Sequence, residues 1–314
     1  MHNIACIGGG TGLFTLLSGL KKRSYNISAI VTMMDSGGST GRLRDEFGYL
    51  PPGDVRQCLV ALSDAPDDLR KLMTYRFRSA GDLAGHNLGN LILTALKDIA
   101  GGEYEAIEAM ERMLNIKGKV LPVTLTSCHL VATLSDGSKI IGETNIDVPK
   151  HDPKLTIKKL ELQPSAEIFS QTKEALLQAD TIVLGPGDVY TSIMPNIVVD
   201  GFLDALKETK AKIIYVVNTM TKHGETAGFT AQKFVDHMKE TLDGVHIDAI
   251  IVNTGNISEE QEAAYMQEQA TPVKNDLQEG IIITGDLVNK EAFARHNSKA
   301  LADAVEEAIK KCAG

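Results

Sequence analysis

The sequence contains no tryptophan, an absence that decides nothing about fold. More informative is the lack of positive charge. Thirty-two Lys and Arg stand against forty-one Asp and Glu, a formal net charge of −9. No basic run is longer than Lys21-Lys22-Arg23. Nucleic-acid backbones are gripped by clustered cations, so no nucleic-acid partner is expected, and any bound phosphate must be held by local geometry. The four cysteines (Cys6, Cys58, Cys128, Cys312) lie far apart and match no zinc or redox spacing. Buried reduced thiols are expected, and zinc is not. No apolar run approaches the ~20 residues of a membrane span, and the first residues show no signal-peptide pattern. A cytoplasmic protein without a membrane span is the expectation.

What is present is ordinary for a globular chain: 314 residues, 43% hydrophobic and 23% charged. That length buries a substantial core without staples. Asn3–Ile7 is a short apolar run that stops at Gly8-Gly9-Gly10-Thr11-Gly12, followed by Leu13, Leu16, Leu17 and Leu20 at helical spacing. Ile27–Met34 is the next strand candidate, and it too stops at a glycine-rich loop. Helical patterns follow over Asp54–Leu62, Asp67–Phe77, Asn87–Ile99 and Glu103–Leu114. Two β-rich runs, Cys128–Leu134 and Lys139–Gly142, flank the hairpin signal Asp136-Gly137, and Leu155–Leu162 reads as an edge strand.

The α/β rhythm then resumes. A helix over Ala166–Gln178 leads into strands Thr181–Leu184, Lys212–Val217, Ala249–Val252 and Ile281–Thr284, with helices over Glu259–Gln269 and Ser298–Cys312. The expected fold is α/β: a doubly wound, mostly parallel, Rossmann-like sheet. It forms one nucleotide-binding domain over residues 1–314, with a helical region at 54–115 and an antiparallel β insertion at 119–163.

Candidate binding residues collect at the strand ends. Gly8, Gly9, Gly10, Thr11 and Gly12 let a backbone approach phosphate beside a helix N-terminus. They lack the Lys-Ser/Thr ending of a Walker loop and the third glycine of the dinucleotide fingerprint, where Leu13 stands; neither NAD nor flavin is expected. The second loop runs from Asp35 through Gly37, Gly38 and Arg42 to Arg44. Two adjacent glycine loops suggest a ligand with several anionic groups, with an arginine adding charge-assisted bonds. An Asx turn for Asp35, and ion pairs of the arginines with Asp45 and Glu46, are the bland alternatives.

Asp54, with Gln57 three residues on, reads as a helix cap or as a second carboxylate that holds magnesium beside Asp35. Asn87 is a natural helix cap, and His86 beside it could contact ligand or move a proton. Gly185, Gly187 and Asp188 form another glycine loop after a strand, and Asn218 and Thr221 end the next one. Four polar strand ends in one sheet would converge on a single crevice.

These motifs together, from Gly8-Gly9-Gly10-Thr11-Gly12 through Gly85-His86-Asn87-Leu88-Gly89-Asn90 to Gly185-Pro186-Gly187-Asp188, resemble the YvcK-like gluconeogenesis factor family, almost end to end. That family is related to CofD, the 2-phospho-L-lactate transferase. The resemblance implies binding of UDP-sugars, UDP-N-acetylglucosamine above all, and roles in gluconeogenic growth and in cell shape or cell-wall synthesis. It implies magnesium held by carboxylates at Asp35 and Asp54, and a basic nucleotide-holding residue at Arg295. It also implies cell-wall and kinase partners, although Asn297-Ser298 stands where some members carry a phosphorylated threonine. A magnesium-dependent phosphotransferase is the alternative function, since such chemistry needs mainly positioning and charge neutralisation. Homo-oligomerisation stays open.

Overall fold

The computed structural model describes residues 1–78, 81–150, 152, 154–266, 269–291 and 293–313. Among the described residues ten strands are present: β1 (His2–Gly8), β2 (Tyr25–Val31), β3 (Lys119–Pro122), β4 (His129–Leu134), β5 (Lys139–Ile141), β6 (Ile157–Gln163), β7 (Thr181–Leu184), β8 (Lys212–Val216), β9 (Ala249–Asn253) and β10 (Ile281–Gly285). Seven of them form one sheet in the order β10-β9-β8-β7-β1-β2-β3. Every adjacent pair in it is parallel. Strands β5-β4-β6 make a small antiparallel sheet.

Helices cover both faces of a parallel sheet, so its strands are buried on both sides and read as continuous apolar runs. Accordingly β7 and β9 are buried at every residue. The helix Gly10–Leu20 buries Leu13, Leu16, Leu17 and Leu20, each contributing about 1.5–3 kcal/mol relative to exposure. It packs on the last helix, Ser298–Ala313, so closely that a Cβ on Gly19 would lie 2.0 Å from the Ser298 carbonyl oxygen.

The Asp136-Gly137 hairpin forms as expected: Leu134 N donates to Ser138 O at 2.8 Å, and β6 lies at the edge of its small sheet. Asn87 caps the helix Leu88–Ala100, accepting from Asn90 N at 3.2 Å. Other expectations shift. The segment read as a loop from Asp35 to Arg44 enters a helix at Gly38, Gly38–Phe47; its sole large aliphatic residue, Leu43, left no period to detect. The helix expected over Asp67–Phe77 ends at Thr74, because Tyr75 O and Phe77 N are taken by Leu88 N and His86 O, each at 2.9 Å.

The helix expected from Asp54 begins at Pro52, whose fixed φ suits the first turn. Asp54 is therefore the third residue of that helix and does not cap it. The helix expected over Ala166–Gln178 is shorter, Ser170–Gln178. In that expected over Glu259–Gln269, residues Glu259–Met266 are helical and 267–268 lie outside the described residues. Among the described residues no helix is long and apolar enough to cross a membrane.

Candidate functional site

The strand order runs outward from β1 in one direction and from β7 in the other, so these adjacent strands mark a topological switch point. A cleft of about 720 Å³ opens at their carboxyl ends, lined also by the loops after β2 and β8.

Gly9, Gly10, Thr11 and Gly12 line it. Gly9 precedes the helix Gly10–Leu20 and gives no side-chain cap; the Gly10 amide is taken by Asp54, and the first-turn amides after it are suited to an anion. Each flanking glycine is fixed by a neighbour. A Cβ on Gly9 would stand 2.5 Å from Asp54 Oδ2, and one on Gly12 would stand 2.2 Å from the Pro186 carbonyl oxygen. The β1 and β7 loops thus touch backbone to backbone. Gly8 is the buried last residue of β1 and lies outside the lining.

Asp35 and Asp54 both line the cleft. Asp35 Oδ1 accepts from Gly37 N at 2.8 Å, the Asx turn, while burial raises its pKa. Asp54 accepts from the Gly10 amide, the first of the neighbouring helix rather than of its own, and burial followed by the charge of Asp35 pushes it up to about 7. Glu143, reaching in from the segment after β5, is pushed up to about 8 by burial and then by Asp35 and Asp147. These carboxylates are short of cations. Arg44 and Arg56 only partly offset Asp35 and Asp54.

Gly187 and Asp188 line the opposite wall with Asn218, Thr221 and Arg295. Asn218 Oδ1 accepts from Gly187 N at 3.2 Å, locking the β8 loop to the β7 loop. Thr221 is tied to residue 271, its amide donating to Thr271 O at 2.8 Å. The Arg295 guanidinium sits 5.3 Å from the Phe293 ring centre, and Phe293 meets Tyr265 edge-on at 5.8 Å. Arg295 and Tyr265 both face the cleft.

Six further candidates stand apart from the lining. Gly37 and Gly38 start the helix Gly38–Phe47, and Gly185 turns the chain out of β7 at φ +78°. Arg42 donates to Ala84 O at 2.7 Å on the exposed side. His86 is buried with Nδ1 3.1 Å from Ser39 Oγ, its pKa lowered by burial and then by Arg42. Asn87 is the helix cap described above. Through the contacts of Arg42 and His86 the helix Gly38–Phe47 is joined to residues 84–86.

Sequence reasoning missed Glu143, Asp147, Lys222 and Tyr265, all of which line the cleft. Lys222 lay inside the polar segment after β8, but nothing marked it above its neighbours. Burial opposes its ammonium, and Glu225, Asp188 and Asp147 outweigh that, holding its pKa above the usual lysine value. Glu143 and Asp147 sit in a stretch read only as β insertion.

The model of the 2-phospho-L-lactate transferase CofD family matches residues 4–290. The gluconeogenesis factor of Bacillus subtilis is 39% identical over 315 residues, covering 98% of each chain. That of Halalkalibacterium halodurans is 41% identical over 315 residues, covering 97% of this chain and 96% of its own. The crystal structure of a member of the UPF0052 family from Bacillus halodurans superposes with a TM-score of 0.92 at 38% identity, covering 97% of this chain and 99% of that one. A family model that spans nearly the whole chain, with relatives this similar from end to end, settles the kinship: the chain belongs to the CofD family, in the branch of the gluconeogenesis factors.

Proposed function

We propose that the protein is a cytoplasmic regulator that binds a UDP-sugar of the UDP-N-acetylglucosamine type and acts in gluconeogenic growth and cell-shape maintenance. The observation that carries the reading is the cleft at the switch point. One wall is a glycine loop at a helix N-terminus, suited to a diphosphate; the other carries Arg295 and Tyr265, suited to a phosphate or a base. Magnesium fits the remaining polar group. Among the described residues no three His, Cys, Asp or Glu side chains form a metal cage. Magnesium commonly takes one or two carboxylates plus ligand phosphates and water instead. Asp35 and Asp54, close enough for the charge of Asp35 to raise the pKa of Asp54, would hold it, and bound there it would neutralise phosphate charge.

A ligand that binds the native state stabilises it by ~2.7 kcal/mol at a hundredfold excess over its dissociation constant. UDP-N-acetylglucosamine with magnesium is therefore expected to raise the melting temperature, and NAD is not. Equal shifts with both, or none with either, would sink the reading.

The paired acids also favour a second reading, a magnesium-dependent phosphotransferase, because phosphoryl transfer asks mainly for positioning and charge neutralisation. Mass analysis after incubation with UDP-N-acetylglucosamine and magnesium separates the two. Recovered, unchanged ligand supports the regulator; consumption supports the transferase.

Arg295 gives a further check. Its substitution by alanine is expected to weaken UDP-sugar binding by about 1.5–3 kcal/mol, the range for a hydrogen bond to a charged group. Unfolding should be nearly unchanged, since the residue is exposed. Titration calorimetry of the variant decides; parent-like affinity would make Arg295 an ordinary surface charge.

A further inference from the structure

The short helix Glu143–Asp147 belongs to the antiparallel insertion yet forms one wall of the cleft, and it is held at both ends. At its start Thr144 N donates to Ser36 Oγ at 3.1 Å, and Ser36 Oγ lies 3.1 Å from Thr144 Oγ1. At its end Asp147 is ion-paired with Lys222, and Thr191 Oγ1 stands 3.5 Å from Asp147 Oδ1. Lys222 Nζ also lies 2.7 Å from Asp188 and 3.4 Å from Glu225.

The two pairs with Asp188 and Glu225 belong to the sheet side of the cleft, so the ammonium is aimed before Asp147 arrives. Glu225 has no exposed side-chain surface, and among the described residues its carboxylate has Lys222 as its cation, 3.4 Å away. The Lys222 ammonium offsets the burial of that carboxylate, which gives the lysine charge a fixed place. Just beyond, the backbone at Gly224 closes on the insertion: a Cβ there would lie 2.4 Å from Pro149 Cγ.

We propose that Lys222 is a positioning residue that fastens the insertion across the cleft, so that the wall carrying Glu143 and Asp147 is in place before ligand binds. An unfastened wall would have to be ordered by the ligand itself, at a cost in affinity. The affinity part rests on the UDP-sugar reading; the fastening does not.

Asp147→Asn is the variant of choice, because Lys222 keeps Asp188 and Glu225 and the core is left with no stranded charge. Hydrogen exchange of the ligand-free protein is expected to quicken about tenfold across residues 143–148 while β1 and β7 keep their protection. Affinity for UDP-N-acetylglucosamine should fall about five- to tenfold. Lys222→Arg, which retains the cation, should retain most of the protection at 143–148. Unchanged exchange at 143–148, acceleration spread equally through β1 and β7, or a loosened wall with parent affinity would each overturn the proposal. Should the parent fail to bind UDP-N-acetylglucosamine, the functional reading fails, and the exchange arm still decides the fastening.

Discussion

Asp54→Asn is expected to raise the melting temperature of the ligand-free protein at pH 8 and, on the proposed magnesium role, to abolish magnesium-dependent affinity for a UDP-sugar. Burial and the nearby Asp35 push the Asp54 carboxyl up to about 7, against an ordinary value of 3.8. Between about pH 4 and 7 the folded protein therefore holds a proton that the unfolded chain has released. Stability falls as pH rises through that window and is flat above it. Every tenfold gain in proton affinity on folding corresponds to ~1.4 kcal/mol. With water in the cleft screening part of the charge, about 2 kcal/mol is expected at pH 8.

Asparagine keeps an oxygen for the Gly10 amide but carries no charge, so it recovers that energy while removing the carboxylate proposed to hold magnesium. The gain should vanish at pH 4, where Asp54 is itself neutral. Calorimetric scans at pH 4 and pH 8, with and without magnesium, test both halves. A lower melting temperature at pH 8, or undiminished magnesium-dependent binding, contradicts them.

Gly12→Ala is expected to cost about 3 kcal/mol, the upper part of the range for overpacking. Its Cβ would fall 2.2 Å from the Pro186 oxygen and 2.7 Å from the Pro186 carbonyl carbon. Both are backbone atoms, and neither can swing aside as a side chain would. Because the clash forces the β1 and β7 loops apart, UDP-sugar affinity should fall with stability. Gly19→Ala is the matched control. It meets Ser298 O at 2.0 Å and the Ala302 side chain at 2.9 Å, on the same helix but away from the cleft lining. Comparable destabilisation is expected there, with the affinity of the folded molecules unchanged. Urea unfolding and calorimetry below the transition compare the two; parent-like stability of Gly12→Ala would refute the contact.

The pair also separates what was legible in the sequence from what was not. Glycine density after an apolar strand pointed correctly to the cleft, because a parallel sheet announces its strands as unbroken apolar runs and its binding edge as the loops that interrupt them. Why Gly12 is glycine was not readable: its constraint is Pro186, which lies in a distant loop. Asp54 shows the same limit. Local spacing to Gln57 suggested a cap for its own helix, whereas the backbone amide it accepts from belongs to Gly10. Lys222 was hidden for a third reason. Its partners Asp147 and Asp188 come from the insertion and the β7 loop, and a lone lysine in a polar stretch is an ordinary solvated charge until those segments are brought to it. The helix Gly38–Phe47 escaped because periodicity needs apolar residues, and that segment is spent on glycine, hydroxyl and charge.

Strand β1 lies inside the sheet, with its β2 neighbour following at once and its β7 neighbour pairing Ile4 with Thr181. On a ribosome adding ~5–20 residues per second, roughly 180 residues separate the two, so one edge of β1 waits on the order of ten to thirty-five seconds for its partner. Throughout that interval a strand made of isoleucine, alanine and cysteine offers unpaired amides and carbonyls to any passing chain. The nascent protein is thus most vulnerable to misassembly midway through its synthesis. Its glycine loop, which leans on Pro186, gains its second wall only when β7 emerges and closes the seam.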